Sequence, residues 1–207
     1  MKVTIIKYNA GNIRSVDFAL RRLGVEPLIT DNPNEIRSAD RIIFPGVGEA
    51  SSAMRYLRNQ KLDKLIVDLK QPVLGICLGM QLMCSHSEEN NTECLGIFEQ
   101  KVRRFPEIDV KVPKIGWDNI YALKADLFKG VPEREYMYFV HGFYVEKCDY
   151  SIALAEYGLE YSAGIQRDNF YAVQFHPEKS GVAGQKIIEN FLGLKQPLTE
   201  KKVAANS

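Results

Sequence analysis

The run Pro72-Val73-Leu74-Gly75-Ile76-Cys77-Leu78-Gly79-Met80-Gln81 sets the fold class. Its first half is continuously apolar, as a strand buried on both faces requires, and Leu78 opens a helix to about Cys84 with almost no turn between. Gly75-Ile76-Cys77-Leu78-Gly79 is a G-x-C-x-G at that junction, the form of a nucleophile elbow. The flanking glycines let strand and helix close up, so the side chain between them stands out at the carboxyl edge of the sheet. A helix N-terminus there favours thiolate, the reactive form, over thiol. From the pentapeptide alone, a buried structural cysteine fits Cys77 equally well.

Outward from this junction, apolar runs alternate with amphipathic segments, the pattern of βα units on a parallel sheet. Val3-Thr4-Ile5-Ile6 predicts the first strand. Ile13, Val16, Leu20 and Leu23 then recur at helical spacing, with Gly24 at the C-terminal cap. A short strand near 27–30 and another at Arg41-Ile42-Ile43-Phe44 follow. The second leads through Pro45-Gly46-Val47-Gly48 into a helix from Glu49 to about Asn59. From about Leu95 to Phe175, closely spaced aromatic and β-branched runs predict a strand-rich second half. Phe170 to His176 alternates strictly, placing Tyr171, Val173 and Phe175 on one face and Ala172, Gln174 and His176 on the other. A last helix is expected from about Val182 to Leu192, stopped by Gly193, with a frayed polar tail over 195–207.

With 207 residues, 45% hydrophobic and 26% charged, the chain has the make-up of one soluble globular domain, here 1–194. Lys and Arg number 27 against 26 Asp and Glu, a net charge of +1, so there is no electrostatic footprint for nucleic acid or an acidic membrane. The longest uncharged stretch, Gln71 to Ser85, is too short and too rich in Gly, Gln and Pro to cross a bilayer. Lys2 and Lys7 interrupt the N-terminal apolar run, so a cytoplasmic protein is expected. Four cysteines without a C-x-x-C pair predict neither a disulfide framework nor a metal site, and Cys84, beside Met80 and Met83, reads as core packing.

Thiol acyl transfer needs a base that takes a proton and returns it to the leaving group, and a third group to orient that base. His176-Pro177-Glu178 offers both: the proline forces a turn, from which Glu178 can fold back onto the imidazole. His86 and His141 are the only other histidines. Donors for an oxyanion can come from the N–H of Leu78 and from the glycine-rich loop at Val47. Gly46-Val47-Gly48-Glu49-Ala50-Ser51 also overlaps part of a dinucleotide fingerprint. It falls on the third unit and ends in serine, which speaks against a cofactor.

Pro45-Gly46-Val47-Gly48, the segment from Gly75 to Gln81, and Gln174-Phe175-His176-Pro177-Glu178 together resemble the class I, or triad, glutamine amidotransferases, over about residues 2–193. Tyr8-Asn9-Ala10-Gly11-Asn12 with Ser15, Lys114-Ile115-Gly116-Trp117-Asp118 and Tyr138-Phe139-Val140-His141 are similar to one branch of that family, the glutaminase subunits of imidazole glycerol phosphate synthases from histidine biosynthesis. The resemblance implies an α/β fold of three layers, α/β/α, with a flavodoxin-like central parallel sheet and the strand-rich second half. It implies hydrolysis of glutamine without cofactor or metal, by a thioester on Cys77, with His176 as acid and base and Glu178 orienting it. Val47 and Leu78 would form the oxyanion hole. Gly46, Gly48, Gln81, the backbone at Gly142 and Phe143, and an acidic residue near Glu93 would hold glutamine. Two positions depart from the family pattern: Cys94 replaces a glycine, and Gly142 stands where serine or threonine is common, which leaves a backbone contact there.

The family's glutaminase fold uses about 194 residues and leaves no room for a domain that would accept ammonia, so a second chain is expected. Free ammonia is largely protonated in neutral water, and a closed path into a docked acceptor avoids that loss. By resemblance the acceptor is a cyclase subunit, a (β/α)8 barrel in a heterodimer, and Asn12, Tyr138 and Lys179 match positions at or near that interface. Competing readings are a glutaminase serving another pathway, a non-catalytic regulatory subunit, and a cysteine hydrolase with a related elbow. The intact Cys, His and Glu set speaks against the second, and Gln81 with the His-Pro-Glu spacing against the third.

Overall fold

The computed structural model describes residues 1–9, 11–107 and 110–194; the tail expected over 195–207 lies outside them. The first half runs β1 (Val3–Ile6), α1 (Ile13–Arg22), β2 (Leu28–Thr30), α2 (Pro33–Arg37), β3 (Arg41–Gly46), α3 (Ala50–Asn59), α4 (Leu62–Val67), β4 (Val73–Cys77), α5 (Leu78–Met83) and β5 (Cys84–Ser87). The second half adds β6 (Thr92–Glu93), β7 (Phe98–Arg104), β8 (Lys114–Ile120), β9 (Glu135–His141), β10 (Phe143–Glu146), β11 (Ser151–Glu156), β12 (Glu160–Arg167), β13 (Phe170–Val173) and α6 (Gly181–Gly193).

Strands β2, β1, β3, β4 and β13 pair in parallel in that order. At β13 the sheet turns antiparallel and continues through β12 and β10 to β7, while β8 and β9 form a separate antiparallel pair. Successive residues of a buried strand point to opposite faces, and both faces are covered. Ile6, Ile42, Phe44, Val73 and Ala172 pack on one side with Ala53 and Leu57 of α3, Leu65 of α4 and Leu82 of α5. Ile5, Ile43, Leu74, Ile76, Val173 and Phe175 pack on the other with Val16 and Leu20 of α1 and Ile187, Ile188 and Phe191 of α6. The architecture is therefore the expected α/β/α layering, held by side chains of which each buried Val, Leu, Ile or Phe contributes about 1.5–3 kcal/mol.

The differences from the expected elements are local. Helix α2 was not anticipated, although Asn32 caps it by accepting from the N–H groups of Asn34 and Glu35, with Pro33 in its first turn. Helix α4 shows too short a period to stand out, burying only Leu62, Leu65 and Ile66. Strand β13 ends at Val173 and not at His176: beyond it the chain bends, and the Gln174 N–H still reaches the Ala163 carbonyl at 2.9 Å. Gly193 is the last residue of α6, not the stop beyond it.

One close approach matters for the site. At Gly184, near the start of α6, a Cβ would lie 2.0 Å from the Pro177 carbonyl oxygen and 2.7 Å from the Ser180 Cβ, so only glycine lets this helix rest on the turn carrying His176 and Glu178. Gly184→Ala is expected to lower stability by at least about 1–3 kcal/mol through overpacking. Gly193→Ala, where no atom of the described residues lies within 4 Å, should leave the thermal midpoint unchanged or raise it. Thermal denaturation of the two variants measures the contrast.

Candidate active site

Cys77 occupies φ 53°, ψ −108°, a strained conformation for any residue with a side chain, and it joins β4 directly to α5. The helix can start there because a Cβ at Gly79 would fall 1.9 Å from the Phe44 carbonyl oxygen; glycine alone admits the contact with β3. Gly75 is confined likewise, its Cβ position lying 3.1 Å from backbone atoms of Gly79 and Met80. The thiol is nearly buried and donates to the Val140 carbonyl at 3.8 Å. Register pairs Gly46 with Cys77, so the loop after β3 leaves the sheet at the same edge.

The parallel pairing of β13 with β4 sets Val173 opposite Ile76 and carries residues 174–178 past the elbow. The His176 N–H donates to the Tyr138 carbonyl at 2.9 Å, and the Ser180 hydroxyl donates to the His176 carbonyl at 2.7 Å. The turn at Pro177–Lys179 folds Glu178 back, and His176 Nδ1–H donates to Glu178 Oε1 at 2.7 Å with both side chains buried. Asn12 Nδ2 donates to the same oxygen and lies 3.3 Å from His176 Nδ1. Among the described residues Nε2 has no conventional hydrogen-bond partner, and Cys77 is the further group acting on the imidazole. Burial lowers the His176 pKa, but the interactions with Cys77 and Glu178 outweigh it and push the imidazole up to about 10. Tyr8, behind the elbow, donates to the Pro45 carbonyl at 2.6 Å, and its phenol is raised by burial and by the charge of Cys77.

Cys77 opens on a cavity of about 910 Å³ whose wall includes Val47, Gly48, Leu78, Gln81, Gly142 and Phe143. Gly46 lies beneath the wall, where a Cβ would strike the Tyr8 hydroxyl at 2.2 Å. The acidic residues in the wall are Glu88 and Glu89, beside Asn90. Glu93 points elsewhere: its side chain is 87% exposed next to Arg58. Sequence reading missed Glu88 and Glu89 because nothing local separates them from a solvated acidic pair; the signal was that they follow β5, which continues from the elbow helix without a break. Glu89 Oε2 accepts the Ala50 N–H at 2.7 Å, tying this loop to the start of α3 just beyond the Val47 loop. His141, also in the wall, donates through Nδ1–H to the Phe143 carbonyl at 2.7 Å. Burial chiefly lowers its pKa, to about 3, so it is neutral.

Asn12 thus hydrogen-bonds the His–Glu pair, half-buried Tyr138 lies with its ring centre 6.4 Å from that of His176, and exposed Lys179 places its ammonium 5.8 Å from the Tyr138 ring centre on the outer side. Tyr138 meets Trp117 edge-on at 6.0 Å, and Trp117, Ile115 and Tyr136 of the β8–β9 pair are all more than half exposed.

A strained cysteine at a strand–helix junction, backed by a buried His–Glu pair and opening on a cavity, is the arrangement that thiol acyl transfer requires, set on a three-layer α/β sheet. The family model of class-I glutamine amidotransferases matches residues 4–194, and the chain belongs to this family. It is 56% identical to imidazole glycerol phosphate synthase subunit HisH of Bacteroides fragilis, over 94% of this chain and 100% of that one. It is 44% identical to the HisH subunit of Haemophilus influenzae, over 93% and 97%. The fold matches PurLQS from Thermotoga maritima with a TM-score of 0.69 at 18% identity, covering 93% of this chain and 97% of that one.

Because its folded pKa is raised, His176 should stay protonated at neutral pH. The stability gained from its charge is full below the unfolded value of ~6.5 and is lost as pH rises toward about 10. In Cys77→Ala, both contributions of the thiol vanish and the His176 titration midpoint should fall; NMR of the imidazole nitrogens measures it.

Proposed function

We propose that the chain is the glutaminase subunit of an imidazole glycerol phosphate synthase. It hydrolyses glutamine to glutamate and ammonia and passes the ammonia to a cyclase subunit, which forms imidazole glycerol phosphate and an aminoimidazole carboxamide ribotide in histidine biosynthesis in the cytoplasm. The observation that carries this reading is a single thiol at the wall of a cavity of about 910 Å³ with the His176–Glu178 pair buried behind it.

In this reading, the Cys77 sulfur, its proton already held by His176 Nε2, attacks the side-chain carbonyl carbon of glutamine as thiolate. The N–H groups of Leu78 and Val47 take the developing oxyanion; the first N–H of α5 has no acceptor within the helix. The Val47 carbonyl accepts from the Gly11 N–H at 3.2 Å, so any turning of the adjoining peptide must break that bond. Collapse of the adduct breaks the C–N bond, and imidazolium protonates the departing nitrogen to release ammonia. His176 then takes a proton from water, whose oxygen displaces the thiolate and frees glutamate. Glu178 keeps the imidazole in one tautomer throughout. Gly48, Gln81 and the backbone of Gly142 and Phe143 hold the glutamine, and Gly46 supports the loop from beneath.

The cyclase, a (β/α)8 barrel, would dock over Tyr138, Lys179 and the exposed side chains of Ile115, Trp117 and Tyr136, close to Asn12 and hence to the triad. A buried route between the subunits keeps ammonia unprotonated.

Ammonia release from glutamine should be low for the chain alone and rise strongly with the cyclase subunit and its nucleotide ligand bound. Cys77→Ala should reduce that release by at least about 10³-fold while leaving circular dichroism and cyclase binding unchanged. Retained hydrolysis in this variant would remove Cys77 as nucleophile.

A further inference from the structure

The mechanism above leaves Gln174 without a role. This side chain is fully buried just past β13, and its amide spans two residues of the site. Nε2 donates to the Cys77 sulfur at 3.6 Å, and Oε1 accepts from Gln81 Nε2 at 3.0 Å. Gln81 Nε2 gives its other hydrogen to the Phe143 carbonyl at 3.2 Å. Both Gln81 hydrogens are thereby committed to acceptors, which leaves the Gln174 amide one orientation, oxygen to Gln81 and nitrogen to sulfur.

We propose that Gln174 is a positioning residue linking the glutamine pocket to the nucleophile: its N–H steadies the Cys77 thiolate, and its oxygen fixes Gln81 with the acceptor oxygen left for the pocket. The proposal rests on the reading of Cys77 as the nucleophile. An N–H···S bond is charge-assisted while the thiol proton sits on His176, and it weakens once the sulfur is a neutral thioester, so the donor acts where thiolate is required. A buried amide is costly when unpaired, and this one has a partner at each end. The titratable groups coupled to the sulfur are His176 and Tyr8, with Glu178 acting on His176 and His176 in turn on His141; a change at Gln174 leaves all four in place.

Two variants separate the roles. Gln174→Met removes donor and acceptor at similar length, whereas Gln174→Glu keeps an acceptor for Gln81 and removes the donor. The full chain is alkylated with iodoacetamide across pH, with Cys77→Ala giving the background of the other cysteines. The constants kcat and KM for glutamine are measured with the cyclase subunit and its nucleotide ligand bound. Both variants should move the midpoint of Cys77 alkylation upward by about one pH unit and lower kcat about tenfold, and only Gln174→Met should also raise KM. In the unmutated chain, the NMR signal of the Gln174 side-chain amide should shift with pH at the alkylation midpoint. Alkylation profiles that superpose on wild type in variants that still fold and bind the cyclase overturn the proposal. If neither variant folds, an amide signal indifferent to that midpoint overturns it. Absence of glutamine hydrolysis or of Cys77 labelling in wild type overturns the underlying reading instead.

Discussion

The contact of Gly79 with the Phe44 carbonyl, where a Cβ would come within 1.9 Å, brings the first turn of α5 hard against β3. With no room for a loop, the residue between β4 and α5 must turn the chain alone, and Cys77 does so at a positive φ. Such a conformation costs on the order of 1–3 kcal/mol and persists only where the surroundings over-determine it. Here they do: β4 lies between two parallel neighbours, and α5 is buried along its whole length.

The same constraint gathers the rest of the site. Because β3 and β13 flank β4 in parallel, their carboxyl ends open at one edge: the Val47 loop leaves beside Cys77 on one side and the His-Pro-Glu turn on the other. Ligands in open α/β sheets bind outside this edge. The turn needs its own support, supplied by the close seat of α6 at Gly184 and by the Ser180 hydroxyl, which donates to the His176 carbonyl and accepts the Tyr138 N–H. A buried charge without partners is expensive, so the imidazolium and carboxylate are placed against each other, with Asn12 completing the carboxylate oxygen. His141 meets the opposite solution nearby: without a carboxylate, burial keeps it neutral.

The second half of the chain works as a frame. Strands β12, β10 and β7 extend the sheet beyond β13, and the link from β9 to β10 places Val140, His141, Gly142 and Phe143 over the thiol. The Val140 carbonyl accepts from the sulfur, and the Phe143 carbonyl gathers Gln81 and His141. The surroundings of the Cys77 thiol are therefore drawn from segments some 60 and 100 residues downstream, a separation that makes their geometry a property of the complete sheet.

Features that depend on neighbours along the chain were legible from the residues alone. Glycines at 75 and 79 around a cysteine announce a strand–helix junction without a loop, a proline between His176 and Glu178 imposes a turn, and unbroken apolar runs demand two covered faces. These fixed the α/β class and the triad candidates, and the alternation from Tyr171 to Phe175 correctly assigned residues to opposite cores. The insertion of β13 between β4 and β12, the meeting of Asn12 with Glu178, the amide relay from Gln81 through Gln174 to sulfur, and the presence of Glu88 and Glu89 rather than Glu93 at the pocket arise only in the assembled fold. Strand pairing and side-chain contact between distant segments are set by how buried faces fit once the whole sheet is assembled, and no local period or motif encodes that fit.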